Sequence, residues 1–195
     1  GELPLIHESV DESLALRETL KDKLRTLTPQ QFEQVLHPVF QEDELTLVIV
    51  GAVHIAQALV PMARIAGYDP LIIDPRGAFA QEHRFPGEDI REDYPDEVLP
   101  DYGLDTRTAV VTLSHDPKID DPAIEAALKS DCFYLGSLGS TRTHAKRVDR
   151  LTERGFTPEQ IARIHAPVGL DIGSKSPAEI AISVMAQVTQ ALRRG

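Results

Sequence analysis

The hydrophobic pattern changes character near residue 44. Before that point, apolar residues recur at helical spacing at Leu14, Leu16, Leu20, Leu24 and Leu27, and a short apolar piece runs from Phe32 to Phe40. Residues 1–44 therefore predict a helical or strand appendage rather than a separate domain. From Leu45 to Val50 the chain is apolar and β-branched without alternation, the mark of a strand covered on both faces. Similar runs lie at Pro70–Asp74, Thr108–Ser114 and Cys132–Leu135. Between them the spacing predicts helices. One spans Val53–Ala66, with Ile55, Leu59, Ala63 and Ala66 on one face, Gly67 at its end and a kink expected at Pro61. Another covers Pro122–Lys129 after a Pro/Asp loop at Asp116–Pro122, and a basic one covers Thr141–Arg154 and stops at Gly155. Thr157-Pro158-Glu159-Gln160 and Ser176-Pro177-Ala178-Glu179 each place a hydroxyl cap, a proline and an acceptor where a helix begins. The last helix carries Ile180, Ala181, Val184, Val188 and Leu192 on one stripe.

Strands alternating with helices imply right-handed crossovers and a parallel sheet. Residues 45–195 thus predict an α/β domain of the Rossmann-like, doubly wound type, which binds ligands beyond the carboxyl ends of its strands. Four loops fall there.

The first, Gly51-Ala52-Val53-His54-Ile55-Ala56, stands where a dinucleotide-binding G-x-G-x-x-G/A turn belongs. Gly51 suits the tight turn, but Val53 replaces the glycine that lets pyrophosphate approach the backbone. Asp74 ends the next strand where an acid commonly takes a ribose hydroxyl, and Arg76 follows within reach of a phosphate. Either NAD(P) binds here, or the scaffold no longer takes a dinucleotide. The second loop, Gly136-Ser137-Leu138-Gly139-Ser140-Thr141-Arg142, joins a strand to a basic helix, and its glycines, hydroxyls and Arg142 outline an anion site. Lys146, Arg147 and Arg150 extend the charge, which alone reads as a solvated basic face. In the third loop, His115 and Asp116 suit acid–base work or polar ligand contacts, with Asp116 as a plain helix cap the other reading. In the fourth, Gly169 and Gly173 frame a buried-looking Asp171, which either accepts backbone N–H bonds or reaches the site. Arg84, beside Phe85-Pro86-Gly87, points toward the same mouth only by position.

Composition narrows the classes. The 195 residues suit one globular domain, with 42% hydrophobic and 26% charged residues. A net charge of −11 disfavours nucleic acid as the main partner. A single cysteine, Cys132, excludes an internal disulfide and multi-cysteine metal sites, and the scattered histidines show no metal-ligand spacing. No apolar run reaches membrane-spanning length and no signal peptide is visible, so a cytoplasmic protein is expected. P-loop, zincin and nucleophile-elbow motifs do not occur.

Taken together, VIVGAVHIAQAL (48–59), IIDPRGAFA (72–80), RFPG (84–87), TAVVTLSHDPKIDDPAI (108–124), YLGSLGSTRTHAKR (134–147) and IHAPVGLDIGSKSPAEIAISVMAQ (164–187) resemble the XdhC/CoxI family of xanthine dehydrogenase accessory factors. The resemblance spans about residues 45–192 and is most specific in the last two stretches. It implies a maturation factor that binds the molybdenum cofactor (molybdopterin), protects it and passes it to a molybdenum hydroxylase such as xanthine dehydrogenase. It also implies a homodimer and a Rossmann C-terminal half preceded in full-length members by another domain, of which residues 1–44 read as a tail. A carrier needs no catalysis. The Gly136–Arg142 loop would hold the anionic end, and Asp74, Arg76, His115 and Asp116 would offer polar edges. The competing readings are an NAD(P)-dependent oxidoreductase with His115 or Asp116 as proton donor, and a regulatory nucleotide-binding module.

Overall fold

A computed structural model describes residues 45–80 and 82–194; the predicted N-terminal appendage lies outside the described residues. Six strands form one parallel sheet: β1 (Leu45–Val50), β2 (Tyr68–Ile73), β3 (Asp89–Arg91), β4 (Thr108–Thr112), β5 (Tyr134–Ser137) and β6 (Ile164–His165). Their order is β3-β2-β1-β4-β5-β6, so the winding reverses between β1 and β4. This is the Rossmann order, and the reversal opens crevices at the carboxyl ends of the central strands.

Helices cover both faces. Leu47 and Ile49 of β1 share one apolar cluster with α1 (His54–Ile65) and α6 (Pro177–Arg194), through Leu59, Ala63, Val184 and Val188. Val48 and Val50 point the other way, into a cluster with Ile119, Ile124 and Ala127 of α3 (Pro117–Lys129) and Leu151 of α4 (Thr141–Glu153). Leu47 through Val50 are all fully buried, which accounts for the missing alternation. Removing the outer part of such a side chain costs about 2–5 kcal/mol.

Several boundaries depart from the sequence pattern. β2 begins at Tyr68, because its pairing with β1 starts at Leu45 opposite Tyr68 and continues through Pro70 opposite Leu47. β4 ends at Thr112, before Ser114, and β5 spans Tyr134–Ser137 rather than Cys132–Leu135. α1 continues through Pro61, which lies on its exposed side. α3 begins at Pro117, so most of the expected Pro/Asp loop is helix: Asp116 Oδ1 accepts the Lys118 amide at 2.9 Å and Pro117 takes the first helical position. β3, α2 (Pro95–Tyr102), the short α5 (Pro158–Ile161) and the two-residue β6 complete the domain. β3 and α2 lie in a stretch too acidic to show an apolar period.

Candidate functional site

At the β1–β2 rim, the polar groups are occupied by one another. Gly51 has φ +108°, and a Cβ there would lie 2.7 Å from the Ser114 nitrogen, so the turn needs glycine for close passage of the β4–α3 segment. Asp74 is fully buried. Its Oδ2 accepts the Ala52 amide at 2.8 Å, Oδ1 accepts the Arg76 amide at 3.0 Å, and the Arg76 guanidinium donates to both oxygens at 2.8 Å. Burial pushes the Asp74 carboxyl up, but the Arg76 side chain and the two amides outweigh it and hold it below the usual carboxylate range. The turn leading into α1 therefore already faces an anion supplied by the chain itself. Arg84 completes the arrangement. It donates to the Ala52 carbonyl at 2.8 Å, the Phe79 carbonyl at 2.7 Å and Gln57 Oε1 of α1 at 3.1 Å. Val53 is half-buried and His54 is exposed.

The expected loop contacts at β4–β5 divide into two groups. Gly136 and Ser137 serve the sheet rather than an open cradle. A Cβ on Gly136 would lie 2.5 Å from Val168 Cγ2, and the buried Ser137 hydroxyl is paired with Thr112 Oγ1 at 2.6 Å across β5 and β4. Ser140 caps α4 by accepting the Thr143 amide at 3.2 Å, and a Cβ on Gly139, at φ +137°, would lie 3.1 Å from Thr143 Cβ. Arg142 is exposed and borders a cavity of about 220 Å³ between the first turns of α3 and α4.

His115, Asp120, Asp121, Lys146, Arg147 and Arg150 also line this cavity. His115 adopts a left-handed backbone at φ +63°, uncommon for a residue with a side chain. Within that turn Ser114 Oγ accepts the Asp116 amide at 3.0 Å and donates to Asp120 Oδ1 at 2.7 Å. Burial pushes the Asp120 carboxyl above its ordinary range, partly offset by the Ser114 hydrogen bonds and by Arg147 and His115. Asp121 is bound by Arg150 in a two-point ion pair, at 2.7 and 2.9 Å. Of the predicted residues, the cavity brings together His115 and Arg142. Asp116 is engaged as the α3 cap, and Gly51, Val53, His54, Asp74 and Arg76 belong to the other rim.

Asp120 and Asp121 escaped the sequence pattern because their segment reads as a loop. Asp116-Pro117 is the same cap-then-proline signal as at Thr157 and Ser176, and the reading of Asp116 as a helix cap, carried forward, places both aspartates in the first helical turns. Asp171 is exposed, against the buried appearance its flanking glycines suggested. Those glycines bend a segment that docks on α6: the Gly169 amide donates to Gln187 Oε1 at 2.8 Å, and Tyr134 Oη donates to the same oxygen at 2.6 Å. Among the described residues, no group of three His, Cys, Asp or Glu side chains is placed to hold a metal ion, and no helix is long and apolar enough to cross a membrane.

Residues 47–188 match the model of the XdhC Rossmann domain. The chain belongs to this family. Its relatives include the molybdenum cofactor insertion chaperone PaoD of Escherichia coli (strain K12), 36% identical over 144 residues, covering 73% of this chain and 38% of PaoD. A probable xanthine dehydrogenase subunit of Bacillus subtilis (strain 168) is 30% identical over 175 residues, covering 87% of this chain and 50% of that one. Among solved structures, a xanthine dehydrogenase from Bacillus halodurans superposes with a TM-score of 0.67 at 30% identity, covering 78% of this chain and 44% of that chain. This XdhC chain thus spans half or less of the length of these relatives.

Proposed function

We propose that this protein binds the molybdenum cofactor as cargo and delivers it to a molybdenum hydroxylase of the xanthine dehydrogenase type. The observation that carries this reading is the cavity at the carboxyl edge of the sheet, bordered by Arg142 and Lys146, in a chain of the XdhC family whose relative PaoD is named as a molybdenum cofactor insertion chaperone. Molybdopterin is a planar pterin bearing a phosphate. Cationic side chains at a helix N-terminus suit the phosphate, and the neighbouring polar groups suit the pterin edges. A cavity of about 220 Å³ holds one end of such a molecule rather than all of it. His115 stands as a secondary contact. Delivery requires only that cargo affinity fall when the target is engaged.

A cytoplasmic homodimer that docks on the hydroxylase belongs to the same reading, since self-association would shelter an exposed cargo. Light scattering that returns a monomer at working concentration would remove the dimer. The deciding experiment is purification of the full chain from cells making the cofactor, followed by molybdenum and pterin analysis and transfer to apo-hydroxylase. Bound pterin with molybdenum, and activity gained by the apo-enzyme, are expected. Arg142→Ala should weaken cofactor retention roughly tenfold or more, because a charge-assisted anion contact is lost, without unfolding the domain. Release of nicotinamide or adenine nucleotide alone would favour the oxidoreductase or the regulatory module instead. The internal pairing of Asp74 with Arg76 and of Ala52 with Arg84 weighs against NAD(P) at the first rim.

A further inference from the structure

Two arginines one turn apart on α4 have opposite surroundings. Arg150, partly exposed, is fully matched by Asp121. Arg147 is only 2% exposed, yet no carboxylate ion-pairs with it among the described residues. Its Nη2 donates to the Leu138 carbonyl at 3.3 Å, its Nη1 lies 3.5 Å from His144 Nδ1, and its Nε has no hydrogen-bond partner. Burial lowers the pKa of the His144 ring, and Arg147 lowers it further; neutral or protonated, an imidazole carries no negative charge to match a guanidinium. A buried guanidinium with an unused donor and no ion-pair partner is costly unless something outside the chain completes it.

The surroundings indicate what that is. Arg147 lines the cavity together with Arg142 and Lys146, at the N-terminal turns of a 13-residue helix. The two acids that share the cavity reach Arg147 only through space, without a hydrogen bond to it: Asp121 is ion-paired with Arg150, and Asp120 accepts the Ser114 hydroxyl and amide on Oδ1. Burial also moves Asp120 toward its neutral form, which lessens its repulsion of an incoming anion. We propose that the α3–α4 cavity is a binding site for a phosphomonoester, with the Arg147 guanidinium as its buried cation and Arg142 and Lys146 closing over the remaining oxygens. Assigning that phosphate to the pterin cargo rests on the chaperone reading above; the anion site does not.

The test uses the full chain and inorganic phosphate, titrated at constant ionic strength against chloride by calorimetry and by thermal unfolding. Saturable binding and a rise in Tm are expected for the wild type. Arg147→Met should weaken phosphate binding at least tenfold while leaving the phosphate-free Tm equal to or above wild type, because the unmatched charge is gone and the aliphatic stem is kept. A purely structural arginine would give the reverse, a lower Tm with phosphate binding intact. Should Arg147→Met not fold, Arg142→Ala/Lys146→Ala, both at exposed positions, must show the same loss of binding. No saturable phosphate binding by the wild type, or undiminished binding by the folded variants, overturns the site and leaves the chaperone reading to its own experiment. If the variants lose phosphate and cofactor together, both readings stand. If they lose phosphate but retain cofactor normally, the anion site stands and a phosphomonoester other than the cargo is its ligand.

Discussion

The two rims of the sheet handle charge in opposite ways. At the β1–β2 rim a buried carboxylate, Asp74, receives two amides and a two-point guanidinium, and Arg84 directs its donors to backbone and Gln57. At the β4–β5 rim a buried guanidinium, Arg147, keeps an unused donor beside a cavity. Both lie at the carboxyl edge, where the topology places ligands. Position in the fold therefore does not distinguish the two rims. What distinguishes them is whether the buried polar groups are already satisfied, since an internally completed network gains nothing from a ligand while an incomplete one does.

The comparison can be broken most severely at Gly51. Gly51→Ala combines a positive φ with a Cβ 2.7 Å from the Ser114 nitrogen and should cost about 3 kcal/mol in urea denaturation. A cost below about 1 kcal/mol would show that the two rims do not press on each other there. Next is Asp74→Asn, which removes the buried charge from Arg76 and should cost about 2–3 kcal/mol. Because the folded Asp74 pKa is lowered, its contribution is complete above the ordinary carboxylate range and is lost as pH falls through the folded value. The Asn variant should accordingly lose less stability than wild type on acidification below about pH 4.

Arg84→Ala should cost about 1–2 kcal/mol and, by opening the first rim, raise NAD affinity in calorimetric titration more than Val53→Gly does. An equal gain from Val53→Gly would return the obstruction to the valine. The smallest effect belongs to Asp120→Asn. The folded pKa of Asp120 is raised, so its favourable contribution holds at low pH and is lost as pH rises through the folded value. The Asn variant keeps an acceptor for Ser114 and should lie within about 1 kcal/mol of wild type, on the stable side at pH 7 and less so at pH 4. Thermal unfolding at the two pH values reads this directly.

The Rossmann-like class was legible because β1, β4 and the apolar stripes of α1 and α6 are dictated by burial, and burial leaves a periodic trace. β3 and α2 left none. Asp89–Arg91 contains one apolar residue and joins the sheet by its backbone, and Pro95–Tyr102 is started by a proline within an acidic stretch. At the candidate site, Arg142 and His115 could be marked from loop position alone. Arg147 was visible only as one charge on a basic helix, since its burial depends on the Leu138 carbonyl and on a cavity wall shared with α3, which no local pattern encodes. The glycines misled for the same reason. Gly136 and Gly169 answer to Val168 and Ser183, residues distant in sequence, rather than to an incoming anion.

Ser114 touches both halves of this picture. Its nitrogen sits against Gly51, while its hydroxyl steadies Asp120. A lineage cannot enlarge the first turn to suit a new guest without displacing the strand end that shapes the opposite wall, so these two corners of the molecule must drift in concert or stay as they are.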